Sequence, residues 1–122
     1  MTLSVRALRG ATTVDSDIET EIRTKTISLL EQMIERNAVA HEDIISVLFT
    51  ATEDIHALFP ASAARDIGFG DVPLICAREL DITGATPLCI RVLMHLNTTI
   101  SRSDLRHVYL EGASGLRDDL PE

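Results

Sequence analysis

Arginine is the residue type through which this sequence offers chemistry. Every one of its 11 basic residues except Lys25 is an arginine, and a guanidinium presents a planar fork of donors that fits a carboxylate with two parallel bonds. Arg91 stands in LCIRVLMHL, Leu88 to Leu96, with apolar neighbours on both sides, a setting that implies burial. A buried arginine needs an anionic partner. That partner is either an acid of the same chain, Glu79 or Asp81, or a ligand anion held in a desolvated site. Arg9 raises the same two readings at the end of an apolar strand face, and Gly10 after it would let a backbone or a ligand approach closely. Glu79 and Asp81 are two positions apart, so a regular strand points both toward one face, where a carboxylate can orient a hydroxyl or pair with an arginine. Cys76 falls on the opposite face from Glu79 unless the strand bulges or ends between them, and reads otherwise as a small core residue. Tyr109, the chain's single tyrosine, reads equally as core or as a hydroxyl offered to a ligand. His56 and His107 have no motif around them and read as capping or surface residues.

The sequence contains no nucleophile elbow, phosphate-binding glycine loop, metal-ligand cluster or dinucleotide fingerprint. Covalent and cofactor chemistry are therefore not expected. An enzyme built from arginines, one glutamate and one tyrosine works by holding its substrate and stabilising developing charge.

Those residues are positioned by alternating short elements. Leu3, Val5, Ala7 and Ala11 repeat with period two and predict a strand over Leu3 to Val14, with Arg9 on the same face. Asp15, Ser16 and Asp17 offer helix N-caps, and Ile18, Ile22, Leu29, Leu30, Met33 and Ile34 continue an amphipathic helix to about Asn37. Further strands are expected at Ile44 to Ala51, Val72 to Leu80, Leu88 to Leu96 and His107 to Leu110. A short helix is expected over His56 to Ile67, with Pro60 near its start and Gly68 and Gly70 at its end. The order β-α-β-α-β-β-β is an α+β pattern, a mixed sheet with two helices on one side. Two helices cover only part of such a sheet, so the remaining apolar strand surface is expected to meet another copy of the chain.

At 122 residues a single domain over 1–122 is expected, with a tail from about Gly112 carrying too few apolar residues to be firmly held. A net charge of -8 disfavours nucleic acid and anionic membranes as partners. No apolar run approaches a spanning helix and the N-terminal residues do not read as a secretory signal, so a cytoplasmic location is expected. Cys76 and Cys89 are expected to be reduced thiols.

Five segments taken together carry a family resemblance: RGATTV (Arg9 to Val14), ATEDIHALFPASAAR (Ala51 to Arg65), VPLICARELDITG (Val72 to Gly84), CIRVLMH (Cys89 to His95) and RHVYLEGASGLR (Arg106 to Arg117). In this order and spacing the chain resembles the monofunctional trimeric chorismate mutases, the AroH-type family. The resemblance implies a homotrimer forming a pseudo-α/β barrel, with clefts where neighbouring chains meet. It implies chorismate as substrate and prephenate as product, and no cofactor. By position it assigns Arg9, Glu79, Arg91 and Tyr109 to the polar binding set, with Arg91 and Glu79 carrying catalysis. Phe59, Ala61, Leu74, Ile75, Cys76 and Leu116 match the cleft lining, and Arg65 and Arg117 its entrance. Ser62 stands where the family usually has a lysine, and the loop Gly68 to Asp71 reads as one residue shorter than usual. A small trimeric ligand-binding or damage-control protein of similar architecture is the competing reading, since architecture alone does not fix function. A trimer that has kept the fold without turnover is another.

Overall fold

The computed structural model describes residues 2–116. Its strands are β1 (Ser4–Thr13), β2 (Ile44–Ala51), β3 (Leu74–Arg78), β4 (Cys89–Thr98) and β5 (Val108–Tyr109), and its α-helices are α1 (Glu19–Arg36) and α2 (Pro60–Asp66). They form one five-stranded sheet in the order β3-β2-β4-β1-β5. The central β4 runs antiparallel to β1 and β2, while the edge strands β3 and β5 run parallel to β2 and β1. This is the expected mixed α+β sheet.

Alternation along the strands sorts the two faces. Leu8 of β1, Val47 and Phe49 of β2, and Val92, Met94 and Leu96 of β4 are buried in one cluster with Leu29, Leu30 and Met33 of α1 and Ala61 and Ala64 of α2. Both helices therefore cover the same side. The opposite side holds Val5, Ala7 and Arg9 of β1, Leu93 and His95 of β4, Leu48 of β2 and Ile75 of β3, all exposed or half-buried. The apolar face of β1 read from the sequence is thus the face without helices.

Local chemistry explains most boundaries. Helix α2 begins with Pro60 in its first turn, where the missing N–H costs nothing, and ends at Gly68, whose φ of 97° suits glycine. The 3₁₀ turn Phe69–Asp71 that follows sinks Phe69 into the core. At the end of α1, the buried Asn37 amide donates to Met33 O and Arg106 O, and its Oδ1 accepts from the Arg106 N–H. The helix terminus is thereby tied to the segment leading into β5.

One sequence expectation is corrected and one is made specific. Asp17 does not cap α1, whose N-cap is Ile18; its carboxylate instead accepts the N–H groups of His56 and Ala57. The close approach that Gly10 allows is that of helix α1. A Cβ there would lie 2.5 Å from Met33 Sδ and 3.1 Å from Leu29 Cδ1, and both side chains are fully buried. Gly10→Ala should destabilise the chain by about 1–3 kcal/mol, the usual range for overpacking. Denaturant unfolding checks this, and a loss under about 0.5 kcal/mol would mean that α1 can shift freely.

Candidate active site

The open face brings the sequence-predicted polar residues into one row. Strand register places Tyr109 of β5 beside Ala11 of β1, Ala11 beside Arg91 of β4, and Arg91 beside Thr50 of β2. Laterally paired residues share a face, so this row runs across the sheet with an alanine between Tyr109 and Arg91. Arg9, Glu79, Arg91 and Tyr109 line one cleft of ≈ 300 Å³, with Leu48 and Leu93 as apolar walls. Small-molecule sites commonly combine apolar walls with a few convergent polar groups in this way.

Each polar side chain is held differently. Arg91 projects from the middle of the central strand, and its Nε lies 3.6 Å from Glu79 Oε2, its side chain being 40% exposed and that of Glu79 25%. That separation is too long for a hydrogen bond, and the solvent-inaccessible Arg91 Nε has no hydrogen-bond partner among the described residues. Arg91 is half-buried and not sealed in, because its face of the sheet is uncovered. Glu79 lies one residue past β3, tethered by its N–H to Ala51 O at 2.9 Å. Thr50 Oγ1 donates to its Oε2 at 2.6 Å. Tyr109 is buried and packs with Ala11, Cys89, Ala113 and Leu116. The N–H of Arg9 donates to His107 Nδ1 at 3.0 Å, so the buried His107 ring secures the backbone that carries Arg9. Residues 111–116, within the tail expected to be loosely held, form a 3₁₀ turn (Glu111–Ala113) whose Gly112 N–H donates to Thr13 Oγ1.

A second group lies apart from this cleft. Cys76 pairs with Phe49 across β2 and β3, which puts it on the helix face, and it shares a cavity with Phe59, Pro60 and Arg78. Phe59 is 69% exposed. Its loop is clamped at two points. Asp17 is held below the usual carboxylate range by the N–H groups of His56 and Ala57. Burial raises Asp54, but the Thr52 hydroxyl and the Leu88 N–H outweigh it, and the net shift is downward. Ala61 and Leu74 join the core beneath the helices, whereas Ile75 is exposed on the open face. Asp81 does not share a pocket with Glu79. Strand β3 stops at Arg78, and Asp81 turns away beside Glu53 and Asp54. Cys89 is buried, and that burial pushes its thiol upward in pKa despite the neighbouring Arg91.

With this geometry in view, comparison with known proteins identifies the family. The model of chorismate mutase type I matches residues 5–120. The chain belongs to the type I chorismate mutase family. Chorismate mutase AroH of Bacillus subtilis (strain 168) is 47% identical over 119 residues, covering 97% of this chain and 94% of that protein. Chorismate mutase AroH of Thermus thermophilus is 46% identical over 117 residues, covering 95% and 96%. A solved chorismate mutase from Clostridium thermocellum superposes with a TM-score of 0.88 at 47% identity, covering 89% of this chain and 97% of that one.

Against the type I chorismate mutase resemblance drawn from the sequence, one chain unites the four polar residues but separates them from Phe59 and Cys76. Leu116 lies half-buried beside Tyr109. Arg65 is exposed and donates to the hydroxyl oxygen of Ser62 at 3.1 Å. Arg117 lies outside the described residues. Thr50, Leu48 and Leu93 escaped the sequence reading. The signal for Thr50 was a hydroxyl at a period-two position, shared only with Ser46, in the apolar run IISVLFTA. Among the described residues of this chorismate mutase family member, no cluster of three or more His, Cys, Asp or Glu is arranged to hold a metal. No described helix is long and apolar enough to cross a membrane.

Proposed function

We propose that this protein is a chorismate mutase, an isomerase that converts chorismate to prephenate by a [3,3] rearrangement in aromatic amino acid biosynthesis. The observation that carries the reading is the convergence of Arg9, Arg91, Glu79 and Tyr109 on one apolar-walled cleft in a chain of this family. In the reaction the ether carbon–oxygen bond breaks as a new carbon–carbon bond forms within the same molecule. All atoms are retained, and no proton or electron needs an outside acceptor. The protein's task is therefore to select a compact diaxial chair and favour its transition state.

Arg9, Tyr109 and Arg91 fix the two substrate carboxylates in that chair. Negative charge gathers on the ether oxygen as its bond stretches, and the Arg91 guanidinium stabilises it more in the transition state than in the ground state. Glu79 accepts a hydrogen bond from the ring hydroxyl. A preorganised charge in a cleft of low dielectric is worth far more than the same charge in water.

A neighbouring chain closes each site. The open face carries Leu48, Leu93 and Ile75 without a covering layer among the described residues, and an uncovered apolar sheet face calls for a second copy. In a homotrimer, the Phe59 and Cys76 group of one copy completes the arginine cleft of its neighbour, which accounts for their separation within one chain. The enzyme works in the cytoplasm.

Cys76→Ala should keep most activity with the trimer intact, since the rearrangement uses no thiolate. Complete loss would bring back a covalent role. The functional reading itself is tested by incubating purified protein with chorismate and following the fall in its ultraviolet absorbance. A rate no greater than the uncatalysed reaction would overturn it.

A further inference from the structure

We propose that Thr50 is a positioning residue, a hydroxyl wedge that holds the Glu79 carboxylate in place and away from Arg91. The inference rests on the functional reading above and deepens it. Glu79 stands one residue beyond the end of β3, where its nearest backbone tether is the single bond to Ala51 O. Its carboxylate needs a second hold, and Thr50 Oγ1 supplies it at 2.6 Å. Thr50 is itself fixed, lying between Arg91 on β4 and Ala77 on β3 in the ladder, with a β-branched side chain that restricts rotation about χ1.

The bond decides which atoms remain for substrate. Thr50 commits its one proton to Oε2, the same oxygen that Arg91 Nε approaches to 3.6 Å. Oε1 is thereby left to accept the substrate's ring hydroxyl. The long separation matters equally. A flexible carboxylate beside a guanidinium collapses into a close bidentate pair, which would mask the charge that Arg91 presents to the breaking ether bond. With its oxygen anchored by Thr50, Glu79 balances Arg91 without capturing it.

The test compares Thr50→Val, which keeps the shape and removes the hydroxyl, with Thr50→Ser, which keeps the hydroxyl. Thr50→Val should lower kcat about tenfold while KM changes less, the scale of a lost hydrogen bond to a charged group. Thr50→Ser should restore kcat to within about twofold of the parent. In a Glu79→Ala background, where no carboxylate remains to be held, Thr50→Val should have no further effect on kcat. A Thr50→Val enzyme with parental kcat would overturn the proposal. So would an equal loss in both backgrounds, or a Thr50→Ser enzyme as impaired as Thr50→Val. Should Thr50→Val not fold, the same three comparisons are made with Thr50→Ala. If the unmodified protein does not rearrange chorismate, the functional reading and this inference fail together. An active parent that is insensitive at Thr50 defeats only the inference.

Discussion

Replacing Arg91 with citrulline should lower kcat at least about a hundredfold, a loss of roughly 3 kcal/mol in transition-state stabilisation. Citrulline keeps the length, planarity and most donors of arginine but carries no charge, so it separates electrostatic stabilisation from positioning. The size of the effect follows from placement. Arg91 sits on the central strand, flanked by Ala11 and Thr50, and no other described arginine lines the cleft except the exposed Arg9. KM should rise less than kcat falls, because the ether oxygen becomes anionic only as its bond breaks. Arg91→Lys should recover little, since a point charge on a flexible stem lacks the fork that reaches a carboxylate and the ether oxygen together. Steady-state kinetics on the citrulline protein decide the matter. An unchanged kcat with a raised KM would place the charge in ground-state binding, and near-full turnover by Arg91→Lys would show a looser site.

The second large effect concerns the division of the site between copies. Arg91→Ala removes the charge from one half, and Phe59→Asp sets a carboxylate in the other half against a dianionic substrate. Each variant alone should lose at least about a hundredfold in activity. Refolded together in equal amounts, they should regain about a quarter of parental activity, because random assembly pairs an intact arginine cleft with an intact Phe59 surface in about one site in four. Native mass measurement confirms that mixed trimers have formed. Mixed trimers without recovered activity would mean that each site is built from a single chain. A monomer at working concentrations would contradict the trimer itself.

Much of this was legible in the sequence, and what was not has physical causes. Period-two spacing, continuous apolar runs and helical spacing located every described strand and both α-helices, and Ile44 to Ala51 was read to the residue. Boundaries drifted where the edge strands are short, since β3 covers only Leu74–Arg78 and β5 only Val108–Tyr109, and local pattern does not say where pairing stops. The arginines stood out because guanidinium is costly in apolar strands, and that signal survives without knowledge of register. Thr50 did not stand out. A strand threonine is ordinary, and its importance arises only when the β2–β3 and β2–β4 registers bring it to Glu79 and Arg91. Gly10 was noticed beside Arg9 in the sequence, whereas its tight packing against Met33 emerges only in the fold. Phe59 and Cys76 were joined to the arginines only through family resemblance. Strand alternation within one chain puts Cys76 on the other side of the sheet.

The most direct measurement is to run the reaction in heavy water with chorismate and purified protein as the only solutes besides buffer, and to follow it by proton NMR. A [3,3] rearrangement makes and breaks its bonds inside one molecule. The expected result is conversion to prephenate at a rate far above that without protein, with both protons of the side-chain methylene retained as the product first forms, before any exchange next to its new ketone. Deuterium in that methylene of newly formed product, faster than prephenate itself exchanges, elimination of the side chain as pyruvate, or no conversion beyond the protein-free rate would contradict catalysis by held geometry and the Arg91 charge.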